Sequence, residues 1–260
     1  MQINDQKKMK ITLVTVTYNS DKTIKNTLDS VKSQKYNEIE HLIIDNKSSD
    51  KTLEIARTYP HITKIISEPD KGIYDAMNKG IEIANGDIIG FLNSDDFYAS
   101  NDVLTKVAKV FNGDPQLDAC YADLIYVSQF NTSKIIRYVK SKEFKDGLFS
   151  KGWCPPHPTF FVRRSVYDRL GNFDLNYHIA SDVELMMRFL QVNKIKVCYI
   201  SEVWVKMRMG GTSNKNLKTI WMQNQEIINS FHKNDLPINI TSFFVNKFIS
   251  RFKQFFNRKY

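Results

Sequence analysis

The stretch NGDIIGFLNSDD, residues 85–96, carries the reading of the fold. Asn85-Gly86 is a turn signal, and DIIGFL after it is a short apolar run bounded by turn residues, as expected of a strand buried on both faces. Asn93-Ser94-Asp95-Asp96 then follows at what would be the strand's carboxyl end. Working back toward the N-terminus, the same unit recurs. Residues 72–84 read as a helix, with Ala76, Ile83 and Ala84 on its small apolar face, and 63–67 as a short strand. Residues 49–59 open on a Ser/Asp capping signal and read as a helix ended by Pro60. EHLIID (40–45) is a strand, 23–34 an amphipathic helix with Ile24, Leu28 and Val31 at helical spacing, and KITLVTVT (10–17) a β-branched buried strand. Strands alternating with helices predict a parallel sheet with right-handed crossovers. Ligands bind beyond the carboxyl ends of such strands. Four polar sets are therefore expected along one edge: Thr17-Tyr18-Asn19, Asp45-Asn46, Glu68-Pro69-Asp70-Lys71 and Asn93-Ser94-Asp95-Asp96.

Forward of residue 96 the pattern is mixed. A helix is expected over 101–111 and a strand pair over 120–127 and 135–139, around the turn-rich Asn131-Thr132-Ser133. A short strand at 159–163 precedes a helix at 181–191. Strands at 195–200 and 204–207, a loop at 210–214 and a helix from about 216 to 232 complete this part. There is no internal repeat and no low-complexity linker.

A length of 260 residues suits one large α/β domain with at most a small appendage. With 42% hydrophobic and 25% charged residues, the chain has the composition of a soluble globular core. Cys120, Cys154 and Cys198 are odd in number and widely spaced, which suits neither a metal-ligand pair nor a disulfide framework; idle thiols in a reducing cytosol are expected. The N-terminus shows no apolar segment before a small-residue cleavage site, and the run at 11–16 is too short to span a bilayer, so neither secretion nor a transmembrane helix is expected. Net charge is +9, and five basic residues with no acid lie between 241 and 260, so more than half of the excess sits there. Such a balance suits polyanions, anionic lipids or phosphorylated substrates.

Several residues offer chemistry. Asp95 and Asp96 repel each other and have no basic neighbour in sequence; either they cap or solvate a loop, or a hard divalent cation resolves the repulsion. Asp70-Lys71-Gly72 followed by Asn78-Lys79-Gly80 lies at a strand-to-helix turn, where phosphate is attracted, though turn chemistry and solvated lysines explain it equally. Asp182 opens a predicted helix, and Ser181-x-x-Glu184 fits a capping box, so Asp182 is either a cap or a general base aimed at a hydroxyl. His157, in a Pro-rich loop, either contacts substrate or metal or simply packs. Trp153 either stacks on a sugar or is buried.

Together, TVTYNS (15–20), IIDNKSSDKT (43–52), SEPDKGIYDAMNKGI (67–81), NGDIIGFLNSDD (85–96), HPTFFVRRSVY (157–167), ASDVELMMR (180–188) and RMGGTSN (208–214) resemble, in order and spacing, the GT-A-type glycosyltransferases called family 2. The similarity is to bacterial polysaccharide-building members. It implies a GT-A fold: a Rossmann-like, mostly parallel central sheet flanked by helices. The expected domain is 1–214, with a nucleotide-binding half at about 10–100 and an acceptor-side half at about 101–214. A helical C-terminal extension would occupy 215–260. The resemblance also implies a nucleotide-sugar donor, with UDP as the nucleotide, a Mn²⁺ or Mg²⁺ cofactor and a saccharide or lipid-linked saccharide acceptor. Asp95-Asp96 would be the metal motif, Asp96 being the direct ligand. Thr17 and Tyr18 would line the nucleotide pocket, and Asp45 or Asn46 would contact the base. Lys71 and Asn78 would lie near the diphosphate or donor sugar. Asp182 would be the base of an inverting reaction. The chain departs from the family pattern at Asn46, where an acid or glycine is usual, and at Met77, where many members carry arginine.

The tail TSFFVNKFISRFKQFFNRKY (241–260) places Phe244, Val245, Phe248, Ile249, Phe252, Phe255 and Phe256 on one helical face and Lys247, Arg251 and Arg258 on another. Residues 237–260 therefore read as an interfacial anchor on an anionic membrane, or as a helix docked on protein. The anchor reading places a cytoplasmic enzyme peripherally on the inner face of the cell membrane, with no nucleic-acid partner. A nucleotidyltransferase is the competing enzyme, but the loop after the first strand, TYNSDK, is not its Gly-rich basic loop. A non-enzymatic basic surface module would leave the acids at successive strand ends unexplained.

Overall fold

The computed structural model describes residues 8–210 and 217–256. The part of RMGGTSN at 211–214, and Arg258 and Lys259 of the tail, lie outside the described residues. The first half alternates as its periodicity requires: β1 (Ile11–Thr17), α1 (Ile24–Lys32), β2 (Ile39–Asp45), α2 (Thr52–Arg57), β3 (Ile62–Ser67), α3 (Ile73–Ile83) and β4 (Ile88–Phe91). These four strands pair in parallel in the order β3-β2-β1-β4. β1 is buried along its whole length because both faces are covered. Val14 and Val16 join a core shared with α3, while Ile11 and Leu13 face the opposite layer. α3 lies close against β1 at Gly80, where a Cβ would come within 2.5 Å of a Val14 methyl. A glycine is needed there for the approach itself.

After β4 come β5 (Phe97–Tyr98), α4 (Val103–Gly113), β6 (Ala119–Val127), β7 (Ile135–Val139), β8 (Phe161–Arg163), α5 (Arg164–Leu170), α6 (Ser181–Met187) and β9 (Val197–Arg208). They extend the sheet as β4-β8-β6-β9-β5, with β7 paired to β6. β8 runs antiparallel to β4, Ile88 opposite Arg163. Its entry loop therefore lies at the edge where β1 to β4 end.

The structure differs from the sequence expectations in particular places. The two strands expected at 195–200 and 204–207 are one, β9, pairing in parallel with β6. The exposed Ser201-Glu202 between them is a register shift opposite Ala122 and Asp123, so the polar break is a bulge and not an end. The helix expected at 181–191 is α6 followed by a wider π-type turn at Arg188–Val192. β5, only two residues long, and α5 were not foreseen. α7 (Leu217–Lys233) and α8 (Ile240–Phe256) form the C-terminal extension. Ile227, Phe231 and Phe243 enter the same core as α3 and α6.

Candidate active site

The turns after β1, β2 and β4 are stitched to one another by short polar side chains. Asn19, in the left-handed region at φ 48°, accepts the Ser49 N–H on its amide oxygen at 2.9 Å. Ser20 meets Ser94 hydroxyl to hydroxyl at 2.8 Å, and the Asn46 N–H donates to the Thr17 carbonyl at 3.0 Å. Asp70 donates its N–H to the Asn46 side-chain oxygen at 2.8 Å, adding the β3 turn. The four polar sets thus form one edge.

Within that edge the side chains divide by what they already hold. Tyr18 is 60% exposed beside the buried Thr17, whose hydroxyl has no partner among the described residues. Asp45 is fully buried and accepts from the Ser48 N–H at 3.0 Å and from the Ser48 and Ser67 hydroxyls at 2.5 and 2.6 Å. Its carboxylate shapes the turn, which leaves Asn46 nearer the solvent side. Lys79 bridges Glu68 at 2.9 Å and Asp70 at 2.6 Å, locking the turn before α3 and leaving Lys71 exposed. Asn78 is turned away from the edge. Its amide exchanges two hydrogen bonds, both 2.9 Å, with the backbone of Phe173.

The carboxylate pair divides as well. Asp96 is 1% exposed; its Oδ1 accepts the Arg208 N–H at 3.3 Å, and its Oδ2 is unpartnered among the described residues. Burial first, and the Asp95 charge next, hold Asp96 well above the ordinary carboxylate range. Burial also raises Asp95, the Arg208 charge opposing it. Asp95 is only half-buried and reaches solvent, while Asp96, the expected direct ligand, keeps one oxygen without a donor among the described residues. A buried carboxylate oxygen without a donor, the unpartnered amide oxygen of Asn93 and a second acid facing outward fit a hard divalent cation. No cluster of three or more His, Cys, Asp or Glu occurs among the described residues. Phosphate oxygens and water would have to complete such a shell, as is usual for Mg²⁺.

Asp182 lies in the wall of a cleft of about 280 Å³, with Trp153, His157, Arg137, Phe243 and Lys247. Its Oδ1 accepts the Val183 N–H at 2.9 Å and the Tyr74 hydroxyl at 3.0 Å; its Oδ2 makes no hydrogen bond among the described residues. Tyr74 belongs to α3, so the helix following β3 reaches Asp182 directly. The capping box does not form: Ser181 donates to the Asp174 carbonyl at 2.9 Å, and Glu184 binds Arg188 and Lys233. Glu226, which carries no local sequence signal, instead accepts the N–H groups of His178, Ile179 and Ala180. His157 packs on Phe91 at 5.4 Å and edge-on to Phe173 at 5.5 Å; burial lowers its pKa against the pull of the Asp182 charge. Burial, and then the Asp182 charge, push the Cys154 thiol up to about 12, so it is an inert thiol in the wall.

α8 covers one side of this cleft. Phe243 is 1% exposed, and the Lys247 ammonium donates to the Asn224 amide oxygen at 2.6 Å. Gly152, at φ +69°, lies so close to α8 that an added Cβ would come within 2.9 Å of Lys247 Cβ. The docked flank is not the aromatic face expected to be apolar: Phe244, Val245, Phe248, Ile249 and Phe252 point outward.

The family model described as "Glycosyl transferase family 2" matches residues 12–171. A PGL/p-HBAD biosynthesis glycosyltransferase of Mycobacterium tuberculosis is 29% identical over 192 residues, 72% of this chain and 72% of that protein. The O-antigen chain rhamnosyltransferase RfbN of Salmonella typhimurium is 29% identical over 212 residues, 76% of this chain and 66% of that protein. Among solved structures, S. aureus TarS superposes with a TM-score of 0.67 at 18% identity; the match covers 97% of this chain and 46% of TarS, just under half its length. TarS 1-349 in complex with UDP-GlcNAc gives 0.68 at 18% identity, covering 96% of this chain and 76% of that one. At such identity the structural matches speak for the fold, which is that of the GT-A glycosyltransferases.

Proposed function

The chain belongs to glycosyl transferase family 2, and from that premise we propose that it moves a sugar from a UDP-linked donor to a hydroxyl of a saccharide or lipid-linked saccharide. The reaction inverts the anomeric configuration and serves the building of a surface polysaccharide or glycolipid. The observation that carries the reading is Asp182: one carboxylate oxygen is fixed by Tyr74 and Val183, and the other is left without a partner among the described residues in a cleft wall. Such an oxygen accepts the proton of an acceptor hydroxyl as that hydroxyl attacks the anomeric carbon. Thr17, Tyr18 and Asn46 form the nucleotide edge, and Lys71 reaches the diphosphate. Asp45 and Asn78 serve this edge by holding its turns. Asp96, through the Oδ2 that has no donor among the described residues, and Asp95 would together hold a Mn²⁺ or Mg²⁺ ion, with the Arg208 N–H fixing Asp96. A bound cation supplies neutralisation of the negative charge on the departing nucleoside diphosphate. The donor assignment is supported by TarS with UDP-GlcNAc, and the cation by a mannosyltransferase of Pyrobaculum calidifontis with GDP-Man and Mn²⁺.

No helix among the described residues is long and apolar enough to cross a membrane. The outward aromatic face of α8 and the basic tail support a peripheral place on the inner, anionic face of the cell membrane. Thermal unfolding tests the site: UDP with Mn²⁺ at a hundred times Kd adds about 2.7 kcal/mol, or roughly 5–10 °C in Tm for a chain of this size. Asp95→Asn should abolish the Mn²⁺-dependent part. No shift with UDP and Mn²⁺, or an equal shift in the variant, overturns the donor and cation assignment.

A further inference from the structure

We propose that Glu226 is a positioning residue for Asp182, so that the C-terminal extension completes the catalytic site. The inference rests on the reading of Asp182 as the base. Glu226 lies on α7, anchored in the core by Ile227 and Phe231. Its Oε1 accepts the His178 N–H at 3.0 Å, and its Oε2 accepts the N–H groups of Ile179 and Ala180, both at 2.8 Å. Three consecutive amides thus converge on one carboxylate, in charge-assisted hydrogen bonds that are short and strong. Asp182 follows two residues later.

Nothing local performs this task. Ala180 stands at the helix N-cap position and has no side chain to cap with, and the Ser181 hydroxyl is directed to Asp174. The same segment is held from the other side by Tyr74, whose hydroxyl lies 2.9 Å from the Ile179 carbonyl and 3.0 Å from Asp182 Oδ1. Segment 178–180 is therefore clamped between α3, which begins at the nucleotide edge, and α7. Both Asp182 and Glu226 lie beyond the residues matched by the family model. The base is thus oriented by a helix that the fold of the first half does not contain. A proton acceptor misplaced by about 1 Å costs on the order of a hundredfold in rate, which is the scale on which such a clamp acts.

The test compares Glu226→Ala, Glu226→Gln, Asp182→Asn and the double variant Asp182→Asn/Glu226→Ala in the full chain. The substrate is the first UDP-linked hexose of a panel that the wild-type chain consumes, with a short alkyl glycoside as acceptor. Glu226→Ala is expected to lower kcat about a hundredfold and to leave the donor KM unchanged. Glu226→Gln keeps one accepting oxygen and should lose about tenfold, the equivalent of one hydrogen bond to a charged group. In the Asp182→Asn background, Glu226→Ala should cost nothing further, because the two act as a unit. Amide exchange of 178–180 should accelerate in Glu226→Ala while β1 to β4 stay protected. Equal losses in both backgrounds, a loss confined to donor KM, or unchanged exchange at 178–180 overturns the proposal. If Asp182→Asn keeps wild-type turnover, it is the base assignment that fails, and the exchange measurement still decides whether the clamp exists. If Glu226→Ala does not fold, Glu226→Gln and its exchange pattern carry the same decision.

Discussion

Replacing Phe248 and Phe252 together by serine should release the protein from anionic membranes without unfolding it. Phe248 is 73% exposed and Phe252 58% exposed, on the flank of α8 opposite the buried Phe243. Burying a whole Phe side chain is worth roughly 2–3 kcal/mol, so the exposed parts of these two offer about 3 kcal/mol to a bilayer interface. Losing that should lower the partition coefficient on the order of a hundredfold. Both side chains are more than half exposed, so Tm should change little from the wild type. Phe243→Ser gives the contrast: that ring is 1% exposed, and its truncation should cost several kcal/mol of stability, of the order of 3–5. The assay is flotation with vesicles of phosphatidylglycerol and phosphatidylcholine, against phosphatidylcholine alone. Wild type should float with the anionic vesicles and do so less at high salt, because Arg251, Lys253, Arg258 and Lys259 supply the charge. Equal flotation of wild type and the double variant, or flotation of neither, would refute the reasoning from exposure.

Other perturbations test the interior. Gly80→Ala sets a methyl 2.5 Å from Val14 Cγ1 and 2.9 Å from Cγ2 in a filled core; an overpacking cost of about 1–3 kcal/mol should appear as a lower denaturant midpoint, and an unchanged one would show α3 free to shift. Tyr74→Phe removes the hydroxyl that meets Asp182 and should reduce kcat about tenfold while costing about 1 kcal/mol of stability; an unaltered kcat would detach Tyr74 from the chemistry. His41 is fully buried, bonded to the Thr15 hydroxyl at 3.0 Å and stacked on His61 at 5.3 Å; burial, then the His61 charge, depress its pKa from 6.5 to about 3. Between those values the unfolded chain binds a proton that the folded chain does not. This contribution is thus fully present above pH 6.5 and lost on acidification, with a slope on the order of 1 kcal/mol per pH unit. Denaturant titrations from pH 7 downward should give a shallower slope for His41→Gln, and equal slopes would remove His41 from the account.

The first half was legible because its strands are buried on both faces and its helices are amphipathic, so periodicity alone separated them. β1 to β4 were expected within a residue or so of where they lie. The edge they form was legible for the same reason, since a parallel sheet collects its exits. Side-chain direction was not legible. Asn78 sits on α3 at the right height, yet its amide turns to Phe173, a partner 95 residues away. Asp95 and Asp96 are adjacent in sequence but differ in burial, and Asp96 is held inward by the β9 backbone through the Arg208 N–H. β5 exists because β9 passes beside Phe97 and Tyr98, and no two-residue propensity announces that. Glu226 was invisible for a similar reason: an acid in the middle of an amphipathic helix reads as solvated surface. For α8 the aromatic face was legible from spacing, while the docking flank rests on Phe243, one residue outside that face.

The polarity of β8 has a consequence for how such an enzyme can change. The polar edge is made of strand exits, the turns after β1, β2, β3 and β4. The segment carrying Trp153 and His157 is a strand entrance, brought to the same edge because β8 runs the other way. Exits and entrances interleave along one rim but belong to separate stretches of chain. Substitutions at the exposed positions between 140 and 157 can therefore change what approaches Asp182, while His157, packed on Phe91, ties this stretch to β4. One rim thus carries two addresses, joined where His157 meets Phe91.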